Sequence, residues 1–157
     1  MQKITPFLWY DGKAEEAANF YVSIFKNSKI KDISRYGEGM PAPAGSVMTV
    51  VFELTGQKFI ALNGGPLYPF TNAVSFVVDC EDQAELDDIW NRLTDGGSEI
   101  QCGWLKDKFG LSWQIVPAML GRLMGQGNAK KSAAMMQALM GMVKLDIAAL
   151  QKAYDNG

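Results

Sequence analysis

Asp11 and Asp79 each end an apolar run that reads as a β-strand, and they lie 68 residues apart. A helical pattern follows each of them. Ala17, Phe20, Tyr21 and Ile24 in the first match Leu86, Ile89, Trp90 and Leu93 in the second, one residue further along. Both sets have the i, i+3, i+4, i+7 spacing that makes one face of a helix apolar. A chain that repeats strand, helix and strands at a fixed offset points to a duplicated βαβββ unit. Few folds accommodate that pattern.

The first copy opens with a strand at 4–9, stopped by Asp11-Gly12, and a helix at 14–25 that breaks at Asn27-Ser28. Strands are predicted at 29–36 and 47–54, separated by a Gly/Pro loop at 37–45. Thr55-Gly56-Gln57 then turns the chain into a strand at 58–63, ended by Gly64-Gly65-Pro66. The second copy begins with a strand at 73–79. Asp82 and Glu85 form a capping-box signal for the next helix, and Gly96-Gly97 terminates it. Strands at 99–105 and 111–116 follow, joined by 106–110, and Pro117 closes the copy. A sheet covered by one helix leaves its second face needing a partner, so two such sheets facing each other are expected to enclose a cavity.

The tail, 118–157, is different. Ala133-Ala134-Met135-Met136, Ala138-Leu139-Met140 and Met142-Val143 read as a helix apolar nearly all round, which implies burial. Asp146 is expected to cap a last helix through Ile147, Leu150 and Tyr154. The tail reads either as a lid over an open end of the sheets or as a dimer contact, since flexible Met-rich surfaces serve interfaces.

Composition narrows the chemistry. None of the 157 residues is histidine, which excludes Ser-His-Asp and Cys-His nucleophile systems, HExxH zinc sites and the two-His-one-carboxylate iron triad. Cys80 and Cys102 form no CxxC pair and read as reduced thiols. The net charge of −2, from 15 basic and 17 acidic residues, gives no nucleic-acid footprint. No apolar run approaches a membrane span and the first residues carry no signal-peptide pattern. A cytoplasmic protein, without nucleic-acid or membrane partners, is therefore expected.

Candidate site residues come mainly from the strand ends. Along 111–116, Leu111, Trp113 and Ile115 share one face and Ser112, Gln114 and Val116 the other. Gln114 is either an amide satisfied by neighbouring backbone or a hydrogen-bonding group for a ligand. Cys102, read as alternating with Trp104 in a strand, is either a small buried hydrophobe or a thiol activated by Lys106 or Lys108. It is the one weak candidate for a catalytic residue. Asn63 is either a strand-ending turn residue or a pocket amide. Trp9, Phe70 and Trp104 are core or cavity wall, of which at least one is expected to touch a ligand. Asp107 reads as a turn residue rather than an acid. Glu53 is a strand-borne carboxylate whose face the alternation leaves open.

The run Asp107-Lys108-Phe109-Gly110-Leu111-Ser112-Trp113-Gln114-Ile115-Val116-Pro117 closely resembles a known family. So do Ile4-Thr5-Pro6-Phe7-Leu8-Trp9, Phe20-Tyr21, Asn63-Gly64-Gly65-Pro66 and Cys102-Gly103-Trp104, and 144–150 is similar to the family's tail. This is the PhnB-like group, often labelled 3-demethylubiquinone-9 3-methyltransferase, within the vicinal oxygen chelate superfamily of glyoxalase I, bleomycin-resistance proteins and extradiol dioxygenases. The resemblance implies an α+β fold of paired βαβββ modules, about 1–66 and 72–117 within one domain at 1–117, with a C-terminal helical extension at 118–157. It also implies a homodimer and four metal-ligand positions, which fall here on Thr5, Asn63, Ala73 and Gln114. None of these is anionic, and hard divalent ions need carboxylates or imidazoles. The expectation is thus no metal and no cofactor. The leading function is a metal-free binding protein for a small, flat or amphipathic molecule, with Trp9, Asn63, Phe70, Cys102, Trp104, Ser112 and Gln114 as candidate ligand contacts. The alternative is an enzyme, either a glyoxalase-type lyase or isomerase or a transferase. The methyltransferase label finds no Gly-rich strand-to-helix turn in this sequence to support it.

Overall fold

The computed structural model describes residues 1–157 and divides into two compact units, Met1–Phe70 and Thr71–Gly157. The first runs β1 (Phe7–Tyr10), α1 (Ala14–Ile24), β2 (Lys29–Arg35), β3 (Val47–Leu54) and β4 (Gln57–Asn63). Its sheet has the order β1-β4-β3-β2. β1 pairs in parallel with β4, and the other pairs are antiparallel. The parallel pairing requires a crossover, and α1 supplies it.

Alternation assigns the two faces. Leu8, Tyr10, Val50, Phe52, Leu54, Phe59 and Ala61 are buried under α1, which contributes Ala14, Ala17, Ala18, Tyr21 and Ile24. The small residues Ala14, Ala17 and Ala18 let the helix approach the sheet closely, and Tyr21 lies 6.3 Å from the ring of Phe52. The other face carries Phe7 and Trp9 of β1, Ile60 and Leu62 of β4, and Thr49, Val51 and Glu53 of β3. Glu53 is thereby placed on the face away from the helix, opposite Lys58 in register and 4.0 Å from the ammonium of Lys31.

The second unit repeats the plan with β5 (Ser75–Cys80), α2 (Gln83–Thr94), β6 (Ser98–Glu99), β7 (Trp104–Lys106) and β8 (Ser112–Pro117), in the order β5-β8-β7-β6. Again the first strand is parallel to the last. Leu86, Ile89, Trp90 and Leu93 of α2 are buried, so Trp90 occupies the place that Tyr21 has in the first copy. Asp82 caps the helix by accepting from the Glu85 N–H at 2.8 Å, and the Glu85 carboxylate accepts from the N–H of Glu81.

Two expectations need correction. The predicted strand at 99–105 is interrupted: Cys102 and Gly103 take φ of 62° and 83° and turn the chain between β6 and β7. Left-handed backbone cannot continue a ladder. The tail forms three helices, α3 (Ala118–Met124), α4 (Ala129–Met140) and α5 (Ile147–Asp155), and α3 was not anticipated. α4 ends at Gly141, and of its apolar residues only Met135 and Leu139 are buried while Met140 is 68% exposed. The pattern of apolar residues on all sides thus reflects exposed methionines and alanines on a half-buried helix. Asp146 caps α5 as expected, accepting from the Ala149 N–H at 3.0 Å.

Two glycines test the packing. A Cβ on Gly97 would stand 2.2 Å from the Lys106 carbonyl oxygen, a backbone atom that cannot yield, whereas a Cβ on Gly121 in α3 meets nothing. Gly97→Ala should cost about 2–3 kcal/mol, and Gly121→Ala should gain about 0.5–1 kcal/mol through lower unfolded-state entropy. Urea unfolding of the two variants checks both signs.

Candidate functional site

In the first unit the strand ends meet the loop after β4. Trp9 Nε1 donates to the Gly65 carbonyl at 2.8 Å, and its ring stands edge-on to Tyr68 with centroids 4.9 Å apart. Gly64 is bare because a Cβ there would fall 2.4 Å from the Trp9 ring. Phe70 packs edge-on against Tyr10 at 5.2 Å, and the Tyr10 hydroxyl reaches that of Tyr21 at 3.2 Å in the core. Trp9 and Phe70 therefore hold the 64–70 loop against β1.

Asn63 does something neither sequence reading proposed. Its Oδ1 accepts the N–H of Ala14 at 2.8 Å and its Nδ2 donates to the Val47 carbonyl at 3.1 Å. The first turn of α1 lacks a side-chain cap from its own Lys13. Asn63, 49 residues away in sequence, supplies it. A cap from a neighbouring strand leaves no local sequence signature. Beside it lies a cleft of about 390 Å³ lined by residues including Asp11, Glu15, Tyr36, Ser46 and Asn63.

In the second unit the face of the sheet away from α2 carries three cross-strand rows. Ser75, Ser112 and Lys106 form one row; Val77, Gln114 and Trp104 form the next; Asp79 and Val116 form the third. Gln114 is partly exposed, Trp104 flanks it on one side, and Val77, 56% exposed, flanks it on the other. The amide of Gln114 donates through Nε2 to Ser75 Oγ at 2.9 Å. Its Oε1 accepts from no protein group. Ser112 is fully buried and donates to Asn72 Oδ1 at 2.8 Å. Of the seven candidate contacts, Trp104, Ser112 and Gln114 thus share this face, while Trp9, Asn63 and Phe70 lie in the first unit. Cys102 is not alternating with Trp104 in a strand. It sits in the turn before β7, where its thiol reaches the Met140 carbonyl at 3.8 Å. That partner is an acceptor, unlike the cations and N–H groups that activate a thiol.

The hairpin between β7 and β8 is locked by Asp107, which is 2% exposed. One carboxylate oxygen accepts from the N–H groups of Phe109 and Leu111 at 2.9 and 3.1 Å, and the other accepts from Trp113 Nε1 at 2.9 Å. It is a turn residue, as the sequence reading had it, and also a buried anchor for the strand that carries Gln114. The residue type needed is an acceptor on both oxygens. Asp107→Ala should cost about 2–6 kcal/mol, from the two buried donors it leaves, the Leu111 N–H and Trp113 Nε1, at about 1–3 kcal/mol each. Asp107→Asn should recover only part of it, since its NH₂ must face one of those donors. Thermal unfolding of the pair measures this.

The positions that the resemblance assigns to metal ligands do not fit a hard divalent ion. Asn63 Oδ1 is committed to α1, Thr5 and Ala73 offer no charge, and no group of three or more Cys, Asp or Glu side chains is placed to hold a metal. The other thiol, Cys80, is fully buried at the end of β5. Burial first, and then Glu85, Asp79, Asp82 and Glu81, push its pKa from 9.0 up to about 12. Below pH 9 the thiol is protonated in both native and unfolded states. As pH rises from about 9 to 12 the unfolded thiol ionises first, so this group's contribution to stability falls. The destabilisation caused by Cys80→Ala should accordingly shrink over that range, read as the difference between wild-type and variant urea midpoints at pH 8 and pH 10.5.

A family model described as 3-demethylubiquinone-9 3-methyltransferase matches residues 2–116. A PhnB protein from Bacillus cereus is 41% identical, with a TM-score of 0.69, covering 74% of this chain and all of its own. At 14% identity, the fosfomycin resistance protein FosX of Listeria monocytogenes shares the fold with a TM-score of 0.57 over 77% of this chain and 94% of its own. A glyoxylase/bleomycin resistance protein/dioxygenase domain from Frankia sp. does so at 13% identity, with a TM-score of 0.51 over 74% and 92%. No curated protein matches.

Proposed function

The chain belongs to the PhnB-like family described as 3-demethylubiquinone-9 3-methyltransferase, within the vicinal oxygen chelate superfamily, and from that premise we propose that it is a metal-free binding protein for a small amphipathic molecule. The observation that carries this reading is the Val77–Gln114–Trp104 row, in which one amide oxygen without a protein donor lies between apolar neighbours. A ligand that suits it is flat enough to lie across an indole and an isopropyl group and donates one hydrogen bond to Oε1. The donor set at the superfamily's ligand positions supports binding without a metal. Methyl transfer is not part of the reading. β4 runs into a loop at 64–74 and not into a helix, so the chain forms no Gly-rich strand-to-helix turn there for a nucleoside cofactor.

A homodimer is part of the proposal. Ile4, Phe7, Leu67 and Tyr68 in the first unit, and Val74 in the second, are all more than half exposed, and apolar surface of that kind serves association.

8-Anilinonaphthalene-1-sulfonate has a flat apolar body and one N–H donor, which makes it a suitable probe. Wild-type protein should bind it saturably, and Trp104→Ala and Gln114→Ala should each weaken binding about tenfold, equivalent to about 1.4 kcal/mol. Unchanged affinity in both variants would overturn the reading. So would a stoichiometric divalent metal in elemental analysis run beside native mass spectrometry, which also reports the dimer.

A further inference from the structure

The segment 142–147, between α4 and α5, is held along its length by groups of the second unit that the binding reading does not use. At its start, the N–H groups of Cys102 and Gly103 donate to the carbonyls of Met142 and Val143, both at 2.8 Å. Leu145 follows, fully buried, with its Cδ1 3.0 Å from where a Gly103 Cβ would stand. It is packed on bare backbone. At the far end Gln83, the first residue of α2, uses both ends of its amide. Oε1 accepts the Ile147 N–H at 2.8 Å, and Nε2 donates to the Leu145 carbonyl at 3.1 Å and to Asp87 at 2.9 Å. Lys144 closes the arrangement on Asp87 at 2.9 Å.

The turn that this segment grips is strained. Cys102 is one of three non-glycine residues with positive φ, a conformation that persists only where its surroundings enforce it. The same turn leads directly into Trp104, and the Gly103 carbonyl accepts from the Ile115 N–H at 2.8 Å. Gly103 is thus bonded to the segment through its N–H and to β8 through its carbonyl. The match to the family model ends at residue 116, so the segment and the helices around it lie outside the matched region.

We infer that 142–147 is a clamp that holds Cys102 and Gly103 left-handed and so sets Trp104 beside Gln114, with Gln83 as its positioning residue. The consequence for ligand binding rests on the Trp104–Gln114 reading; the clamp itself does not. Releasing it frees Cys102 to leave the left-handed region and loosens the start of β7, while the core under α2 stays packed.

The two thiols provide the test in the full chain. With 5,5′-dithiobis(2-nitrobenzoate), Gln83→Ala should raise the rate of Cys102 modification at least about tenfold while Cys80 stays unreactive, and probe affinity should fall with it. Adding Cys102→Gly, which adopts the turn without strain, should restore much of that affinity, a rescue that a general loss of stability would not show. Lys144→Ala should act in the same direction and serves if Gln83→Ala does not fold. An unchanged Cys102 rate in a folded Gln83→Ala or Lys144→Ala variant overturns the clamp. Cys80 reacting in step with Cys102 also overturns it, because the opening is then global. Failure of the wild type to bind the probe overturns the functional consequence alone, since the thiol rates are read without ligand.

Discussion

Each βαβββ unit owns one helix and a sheet of four strands, and one helix covers one face. This constraint shapes both halves of the chain. The face under the helix is closed by a bulky aromatic from the helix, Tyr21 in one unit and Trp90 in the other, over strands whose alternate residues are fully apolar. The opposite face cannot be made of the same material without exposing it, so its composition is mixed: Thr49, Glu53 and Lys58 in the first unit, Ser75, Lys106 and Gln114 in the second. Mixed composition on a strand face is what lets a sheet hold polar groups at fixed positions, as it holds Gln114 beside Trp104.

Both units secure their strands with a buried or half-buried polar group that bonds several partners at once. Asp107 gathers the hairpin and the indole of Trp113; Asn63 joins the end of β4 to the start of α1 and to β3. Such groups are worth more than their individual hydrogen bonds, because removing one strands every partner it had. Asp107 anchors the strand that carries Gln114, and Asn63 lines the polar cleft of the first unit.

Much of this was legible in the sequence. The duplication at an offset of 68, the helix faces, the Asp82 and Asp146 caps and the inward set Leu111, Trp113 and Ile115 all follow from periodicities that act over a few residues. What stayed hidden depends on distant partners. Nothing near Asn63 announces that it caps a helix 49 residues away. Cys102 looked like a strand residue because its left-handed turn is enforced by carbonyls at 140–143. α4 read as wholly buried because a run of Ala and Met cannot say which of its faces meets a neighbour. Glu53 could not be assigned a face until the register with Lys58 was known.

The role of Asn63 also bears on how this chain is free to change. The position that the resemblance assigns to a metal ligand is here spent on the first turn of α1. A carboxylate introduced at that position can still accept the Ala14 N–H through one oxygen, but it has no N–H for the Val47 carbonyl, which its second oxygen would face instead. A metal centre at the positions that the resemblance assigns would therefore take several substitutions, since Thr5 and Ala73 also carry no charge, and the one at Asn63 has a folding cost at the Val47 carbonyl. The fold has made its present donor set hard to leave.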